Sequence, residues 1–177
     1  MNDAPATPDT VAAFRRRATE ARSIVHEASD WTHVSALAID LAGSGRVAVS
    51  AAVVERWPVL IHALGSRVLL PEDDHRITAD AALGIVQGTL GIAETGSVLL
   101  VEERAGDRAA SMLPPVVIQL LDRGEIYPTL DVLLERAFAQ PPVFAALVTG
   151  PSRTADIERA LTIGVHGPHD VHVVILG

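Results

Sequence analysis

Val116-Val-Ile-Gln-Leu-Leu121 is one of several short apolar stretches that decide the fold of this chain. Its polarity does not alternate along the stretch, which is typical of a strand whose two faces are both buried. Similar stretches recur at Arg46–Ser50, Arg67–Leu70, Ser97–Val101, Val143–Val148 and Val171–Leu176. We therefore expect these stretches to be strands of a largely parallel sheet.

Helical segments are predicted between the strands. They are Val54–Leu64, Thr78–Leu83, Asp107–Met112, Pro128–Ala139 and Ala155–Thr162. Because strands and helices alternate, the sequence predicts an α/β fold with three layers. Between Ala82 and Val101, glycines divide the chain into pieces that are too closely spaced for crossover helices. Antiparallel pairing is expected there, so the sheet is predicted to be mixed and mainly parallel.

The first part of the chain, residues 1–42, is predicted to be an N-terminal helical segment. Thr7 and Pro8 suit the start of a helix, and apolar residues then recur at helical spacing from Val11 to Ala28. This apolar stripe would dock on the sheet or on a second subunit, so a homo-oligomer is one possibility. Residues 43–177 are predicted to form the α/β part of one compact domain.

Composition excludes several classes of function. The chain has 177 residues and a net charge of −8, and all of its 14 basic residues are Arg, which argues against a nucleic-acid partner. With no Cys, the chain itself has no thiol nucleophile and no ligands for an iron–sulfur cluster. Its polar N-terminus and the absence of a long apolar segment predict a cytoplasmic protein without a membrane span.

The segment Thr149-Gly-Pro-Ser-Arg-Thr154 follows a predicted strand and precedes a predicted helix. A helix that begins there would present free backbone N–H groups to an anion, and the side chains of Ser152, Arg153 and Thr154 would add donors. The alternative is that Ser152 or Thr154 simply caps the helix and that Asp156 interacts with the helix dipole.

The segment Glu94-Thr-Gly-Ser97 places a glutamate on a tight glycine turn. A carboxylate presented in this way can act as a nucleophile or a general base, although a hairpin turn with the carboxylate in water would have the same sequence. His166, which lies between Gly164 and Gly167, is a candidate ligand contact or acid/base group.

The remaining histidines receive no chemical role from the sequence. No carboxylate pair accompanies the three histidines between residues 166 and 172, so we predict no metal site. His26, His33, His62 and His75 have no chemical context and are expected at the surface.

Four segments, taken together, resemble the LUD-domain family of lactate utilization protein C: Gly91–Ser97, Ser111–Pro114, Thr149–Glu158 and Gly164–Pro168. The resemblance implies the three-layer α/β superfold of ribose-5-phosphate isomerase, glucosamine-6-phosphate deaminase and the CoA-transferases. It also implies a role in the oxidation of L-lactate to pyruvate, alongside companion proteins that carry the iron–sulfur clusters. This chain would itself hold no cofactor. Val117 stands where family members commonly have a His.

The resemblance also implies which residues bind a small anionic metabolite. They are Thr95, Gly96, Ser97, Gly150, Ser152, Arg153, Thr154, Asp156 and Gly167, with Glu94 and His166 as candidate catalytic groups. Arg153 would pair with a carboxylate or phosphate of the ligand. Two other functions remain open: a CoA-transferase-like or isomerase-like enzyme that uses Glu94, because the CoA-transferases carry a Glu-x-Gly turn, and a purely structural subunit.

Overall fold

The computed structural model describes residues 6–70, 72, 78–131, 142, 144–155, 161–163 and 167–177. The helices among them are α1 (Pro8–Glu20), α2 (Trp31–Ala42), α3 (Ala51–Arg56), α4 (Pro58–Leu64) and α5 (Ala105–Met112). The strands are β1 (Ile24–Ala28), β2 (Val47–Val49), β3 (Val68–Leu69), β4 (Leu83–Gln87), β5 (Leu90–Ile92), β6 (Ser97–Val101), β7 (Val116–Asp122), β8 (Ile126–Tyr127), β9 (Ala145–Val148), β10 (Arg153–Ala155), β11 (Leu161–Ile163) and β12 (Asp170–Leu176).

A six-stranded sheet in the order β1-β12-β7-β4-β2-β3 forms the centre of the molecule, and all of its neighbouring strands are parallel. Ile118 and Leu120 of β7 pack on one face, against α2, α3 and α4. Val117 and Leu121 pack on the opposite face, with α1 and α5. Both faces are therefore buried, and the predicted α/β fold with a mainly parallel sheet is confirmed.

A second, four-stranded sheet in the order β8-β5-β6-β9 covers part of the same face as α1. The antiparallel pairing predicted between Ala82 and Val101 is present between β5 and β6, but in this separate sheet rather than in the parallel one. The prediction that β6 and β9 belong to the parallel sheet is wrong, since they pair antiparallel with each other. A short apolar run does not specify which sheet it joins, because both sheets bury one face in the same core.

The N-terminal helix is shorter than predicted. Thr7 caps α1 by accepting the backbone N–H of Thr10 at 3.2 Å, but the helix ends at Glu20 rather than continuing to Ala28. Residues Ile24–Ala28 form β1, which pairs in parallel with β12. The segment 1–42 thus contributes an edge strand to the sheet, because pairing with β12 outweighs the helical spacing of the apolar residues.

Two other predicted helices differ from the structure. The predicted helix Ala155–Thr162 is wrong, since β10 and β11 pair antiparallel as a hairpin. The predicted helix Val54–Leu64 is divided at Trp57, because Pro58 begins a new helix. Leu83, which was predicted to end a helix, is the first residue of β4. The predicted helix Pro128–Ala139 lies mostly outside the described residues.

Candidate functional site

The glycines of two of the motifs lie against the C-terminal end of α1. Gly96 has a φ of +69° and Gly150 a φ of +74°, a region that favours glycine. A Cβ atom on Gly96 would overlap the backbone nitrogen of Ala18, and one on Gly150 would overlap the carbonyl oxygen of Ala21. The close approach of α1 therefore accounts for both glycines without a ligand.

A cluster of hydroxyl groups joins the same two motifs. Ser97 Oγ donates to Thr95 Oγ1 at 2.8 Å and shares a second hydrogen bond with Thr149 Oγ1 at 2.6 Å. Ser97 is buried at the start of β6. Segments that are distant in the sequence thus meet here, and the hydroxyl groups satisfy one another.

Glu94 is exposed, and its carboxylate accepts a hydrogen bond from the backbone of the loop that follows β8. Its Oε1 atom accepts the backbone N–H of Leu130 at 3.0 Å, and its own N–H donates to the carbonyl oxygen of Pro128 at 3.0 Å. The side chain borders a shallow groove of ≈ 360 Å³ that also contacts Arg16 and Arg17 of α1. Glu94 therefore faces the α1 surface of the molecule.

A cavity of ≈ 300 Å³, which we call the inter-sheet cavity, lies between β7 and β12 of the large sheet and β6 and β9 of the small one. It is mostly apolar but includes several polar groups. Its lining residues are Leu100, Glu102, Ser111, Met112, Val117, Gln119, Phe144, Ala146, Leu147, Val148, Gly150, Ser152, Gly167, Pro168 and Val171. Apolar walls with a few convergent polar groups are typical of small-molecule sites.

Glu102 is the ionisable residue among those that line this cavity. It is 3% exposed, and neither carboxylate oxygen has a hydrogen-bond partner among the described residues. The nearby Ser111 hydroxyl has a single proton, which it donates to the carbonyl oxygen of Arg108 at 3.0 Å. Burial raises the pKa of the Glu102 carboxyl above its ordinary value of 4.5; Asp107 acts in the same direction, whereas Ser111 and Arg108 act against it.

Gln119 is the second buried polar side chain of the cavity. It is 2% exposed, and its Oε1 atom has no partner among the described residues. A buried polar atom without a hydrogen bond costs roughly 1–3 kcal/mol, so two such side chains at one cavity make it a candidate site for a polar ligand.

Neither of these residues was predicted from the sequence, although each carried a signal. Glu102 directly follows the apolar run Ser97–Val101, at the end of a strand. Gln119 is the polar residue inside the run Val116–Leu121. A polar side chain inside an otherwise apolar strand requires a hydrogen-bond partner, and here both side chains border the cavity.

Some of the residues predicted to bind a metabolite border the same cavity. Gly150, Ser152 and Gly167 line it, and the backbone N–H of Ser152 donates to the carbonyl oxygen of Pro168 at 3.0 Å. Residues 153–155 belong to β10, so the helix that was predicted to begin at Ala155 and to bind an anion does not begin there, and that part of the prediction is wrong. Val117, at the position where the family commonly has a His, forms part of the apolar wall.

Other predicted site residues lie outside what the structure describes. The side chains of Arg153 and Thr154 are not described, although their backbone belongs to β10. Asp156 and His166 lie outside the described residues altogether. Glu94, Thr95, Gly96 and Ser97 are described and belong to the turn and hydroxyl cluster above, not to the lining of the cavity.

On the opposite face of the large sheet, two histidines form a pair. His26 Nε2 and His172 Nδ1 share a hydrogen bond at 2.9 Å, and the rings are stacked with centroids 5.2 Å apart. Burial lowers the pKa of both below the ordinary value of 6.5, and His26 lowers that of His172 further, while Asp170 opposes this. The prediction that His26 is a surface residue without chemical context is therefore wrong.

The described part of the chain lacks two features, a membrane-spanning helix and a group of metal-binding side chains. No helix there has both the length and the apolar character needed to cross a membrane. In the same residues, no three His, Asp or Glu side chains are grouped so that they could hold a metal ion.

Comparisons with known proteins agree on one family. The family model of the LUD domain matches residues 11–176. Lactate utilization protein C of Macrococcus caseolyticus is 32% identical over 99 residues, which cover 52% of this chain and 43% of that protein. Lactate utilization protein C 1 of Bacillus mycoides is 34% identical over 103 residues, which cover 55% of this chain and 44% of that protein.

The matched region thus spans less than half the length of these relatives. A solved structure has the same fold over nearly the whole chain. It is the crystal structure of a DUF162 family protein from Deinococcus radiodurans, with a TM-score of 0.68, 23% identity, and coverage of 96% of this chain and 97% of that one. The match of the family model over nearly all of the sequence is decisive, and the chain belongs to the LUD domain family.

Proposed function

We propose that this protein is a non-redox component of a lactate utilization system and that it binds a small metabolite in the inter-sheet cavity. The names of its relatives support the pathway, since several are called lactate utilization protein C. The absence of Cys supports a non-redox role, in which companion proteins carry the iron–sulfur clusters.

A single observation carries the ligand-binding part of the proposal: the buried Glu102 carboxyl has no hydrogen-bond partner among the described residues. A structural carboxyl in a core is normally paired, because desolvation without a partner is costly. Here the group lines a cavity whose volume of ≈ 300 Å³ lies at the lower end of the range for small-molecule sites. A bound metabolite would supply the missing hydrogen bonds.

This proposal moves the predicted site from Glu94 to Glu102. The carboxylate of Glu94 is exposed to water and accepts the backbone N–H of Leu130, so one of its oxygens is already engaged in a hydrogen bond. A covalent intermediate on this exposed side chain would be open to water. We therefore assign no transferase or isomerase role to this residue.

The test is growth on L-lactate of a strain that lacks this protein. Wild-type protein supplied in trans is expected to restore growth, the variant Glu102→Ala to fail, and the variant Glu103→Ala, whose side chain is exposed next to Glu102, to restore growth fully. Thermal unfolding of the purified Glu102→Ala variant must show that it folds, which we expect because no hydrogen bond is lost.

Each part of the proposal has its own contrary result. Growth of the deletion strain on L-lactate at the wild-type rate would remove the pathway assignment. Full rescue by Glu102→Ala would remove the cavity from the function and favour a purely structural subunit.

A further inference from the structure

We infer that the inter-sheet cavity binds a monocarboxylate as an acid–carboxylate pair with Glu102, with the aliphatic part of the ligand packed toward Met112. The inference rests on the proposed function, since it concerns the same cavity, and it names the class of ligand and the way its charge is accommodated. It also differs from the sequence-based expectation that a cation receives the anion.

The charge of the lining residues decides the mode of binding. Among the described residues that line the cavity, Glu102 is the ionisable one and none is Arg. Beside the cavity, the Arg108 guanidinium lies over the ring of Phe144 and lowers the pKa of Glu102, whereas Asp107 raises it, so these two charges oppose each other. A ligand anion brought beside an ionised Glu102 would place two like charges in an apolar enclosure, which is strongly unfavourable. One proton shared between the two carboxyl groups removes a charge and forms a short, charge-assisted O–H···O bond of about 2.5–2.7 Å.

The buried state of Glu102 prepares it for this role. Its side chain is 3% exposed and lacks a partner for either oxygen among the described residues, so burial shifts its equilibrium toward the neutral acid, whose proton a ligand can accept. A carboxylate is the strongest acceptor that a small metabolite offers to such a donor. Gln119 Oε1 then requires a donor, which a hydroxyl group close to the carboxylate would provide.

The cavity has an apolar side chain that is partly open to water. Met112 lines the cavity and is 49% exposed. A large apolar side chain in this position is left in water when the cavity is empty and is covered when an aliphatic chain packs against it. Each methylene that becomes buried is expected to tighten binding about fourfold, from the transfer free energy of a CH₂ group.

The experiment is isothermal titration calorimetry with L-lactate and 2-hydroxyhexanoate, in buffers of different ionisation enthalpy, over a pH series that extends upward from the ordinary Glu pKa of 4.5. At pH values above the raised pKa of the free Glu102, the wild type is expected to take up close to one proton per ligand and to lose affinity about tenfold per pH unit. Toward the acid end of the series the affinity should level off. The longer ligand should bind more tightly at every pH.

Two variants isolate the role of Glu102. Glu102→Gln retains a donor but cannot release a proton, so binding is expected to lose both the proton uptake and the pH dependence. Glu103→Gln, which changes an exposed neighbour, should behave as the wild type. Hexan-2-ol, which keeps the aliphatic chain and hydroxyl but has no carboxylate, is expected to bind at least tenfold more weakly than 2-hydroxyhexanoate at the acid end.

Several outcomes would overturn the inference. They are binding without proton uptake, a Glu102→Gln variant that follows the wild-type pH profile, equal affinity for the alcohol, or no binding of either acid. These calorimetric outcomes are independent of growth on L-lactate, so failure of this inference is distinguishable from failure of the proposed pathway role.

Discussion

Replacing Gly150 with Ala tests whether the glycine of the second motif serves α1 rather than a ligand. At this position a Cβ atom faces two separate penalties. The backbone has a φ of +74°, which L side chains rarely adopt, and the new methyl group would overlap the carbonyl oxygen of Ala21 just beyond α1. The variant must therefore both strain its own backbone and displace the end of the helix.

The magnitude follows from adding the two effects. A residue other than Gly in a sparsely populated backbone region costs about 1–3 kcal/mol, and overpacking against atoms that cannot rotate away costs about 1–3 kcal/mol more. Gly150→Ala is thus expected to lower the free energy of unfolding by about 2–6 kcal/mol, a large part of the roughly 5–15 kcal/mol typical of a domain. The midpoint of thermal unfolding should fall by roughly 2–4 °C for each kcal/mol.

Two other glycines separate the contributions in the same assay, which is urea unfolding followed by circular dichroism. Gly65 has a φ of +59° but no atom within 4 Å of a Cβ, so Gly65→Ala should show the backbone cost alone. Gly124 has open space and no positive φ, so Gly124→Ala should change the free energy of unfolding by less than about 1 kcal/mol in either direction.

The reasoning would be refuted if Gly150→Ala were no less stable than Gly65→Ala. It would also be refuted if Gly150→Ala kept full stability and lost only ligand affinity, because the glycine would then serve the cavity rather than the helix. We expect the opposite: the folded fraction of Gly150→Ala should still bind, since the residue borders the cavity through its backbone.

Two further predictions concern stability as a function of pH. For Glu102 the folded-state pKa is raised, so the folded state holds more protons above pH 4.5 and stability falls as the pH rises through the folded pKa. Glu102→Gln should abolish this loss, which would be seen as a higher urea midpoint than that of the wild type at alkaline pH. Glu103→Gln should not raise the midpoint. For the pair His26 and His172 the folded-state pKa values are lowered, so stability falls as the pH drops below 6.5. His26→Gln should reduce this acid sensitivity, and the exposed His62→Gln should leave it unchanged in the same unfolding series.

The strands of the parallel sheet could be predicted because each is specified locally. Val116–Leu121 and Val171–Leu176 are continuous apolar runs, and the structure places them side by side as β7 and β12. The edge strand β1 was missed because Val25 and Ala28 also fit the helical spacing that continues from α1. Residues 24–28 form a strand because they pair with the edge of β12. A pairing partner so distant in the sequence cannot be inferred from a local pattern.

The hairpin formed by β10 and β11 was mispredicted for a related reason. Its first residues follow Gly-Pro-Ser, a combination that also starts helices, and Asp156 and Glu158 have the charges expected in a first helical turn. The β-branched residues Thr154 and Thr162 favour strands, and they face each other in the register of the hairpin. The pairing of two strands across several residues outweighed the capping signal.

The cavity could not be predicted from the sequence, because it forms between residues of two different sheets, among them Glu102 and Gln119. Gln119 lies two residues after Val117 in β7, so the two side chains share a face of the strand. This could have been predicted from the sequence, because side chains alternate between the two faces of a strand. Glu102 follows a strand of the other sheet, and only the packing of sheet on sheet brings the two side chains to one enclosure. A polar residue in an apolar run is tolerated when a group distant in the sequence forms hydrogen bonds with it. Among the described residues, no group does so for the carboxylate oxygens of Glu102 or for Gln119 Oε1. A pair of such residues meeting from different sheets is therefore more informative about ligand binding than the glycine motifs, whose form the packing of α1 already explains.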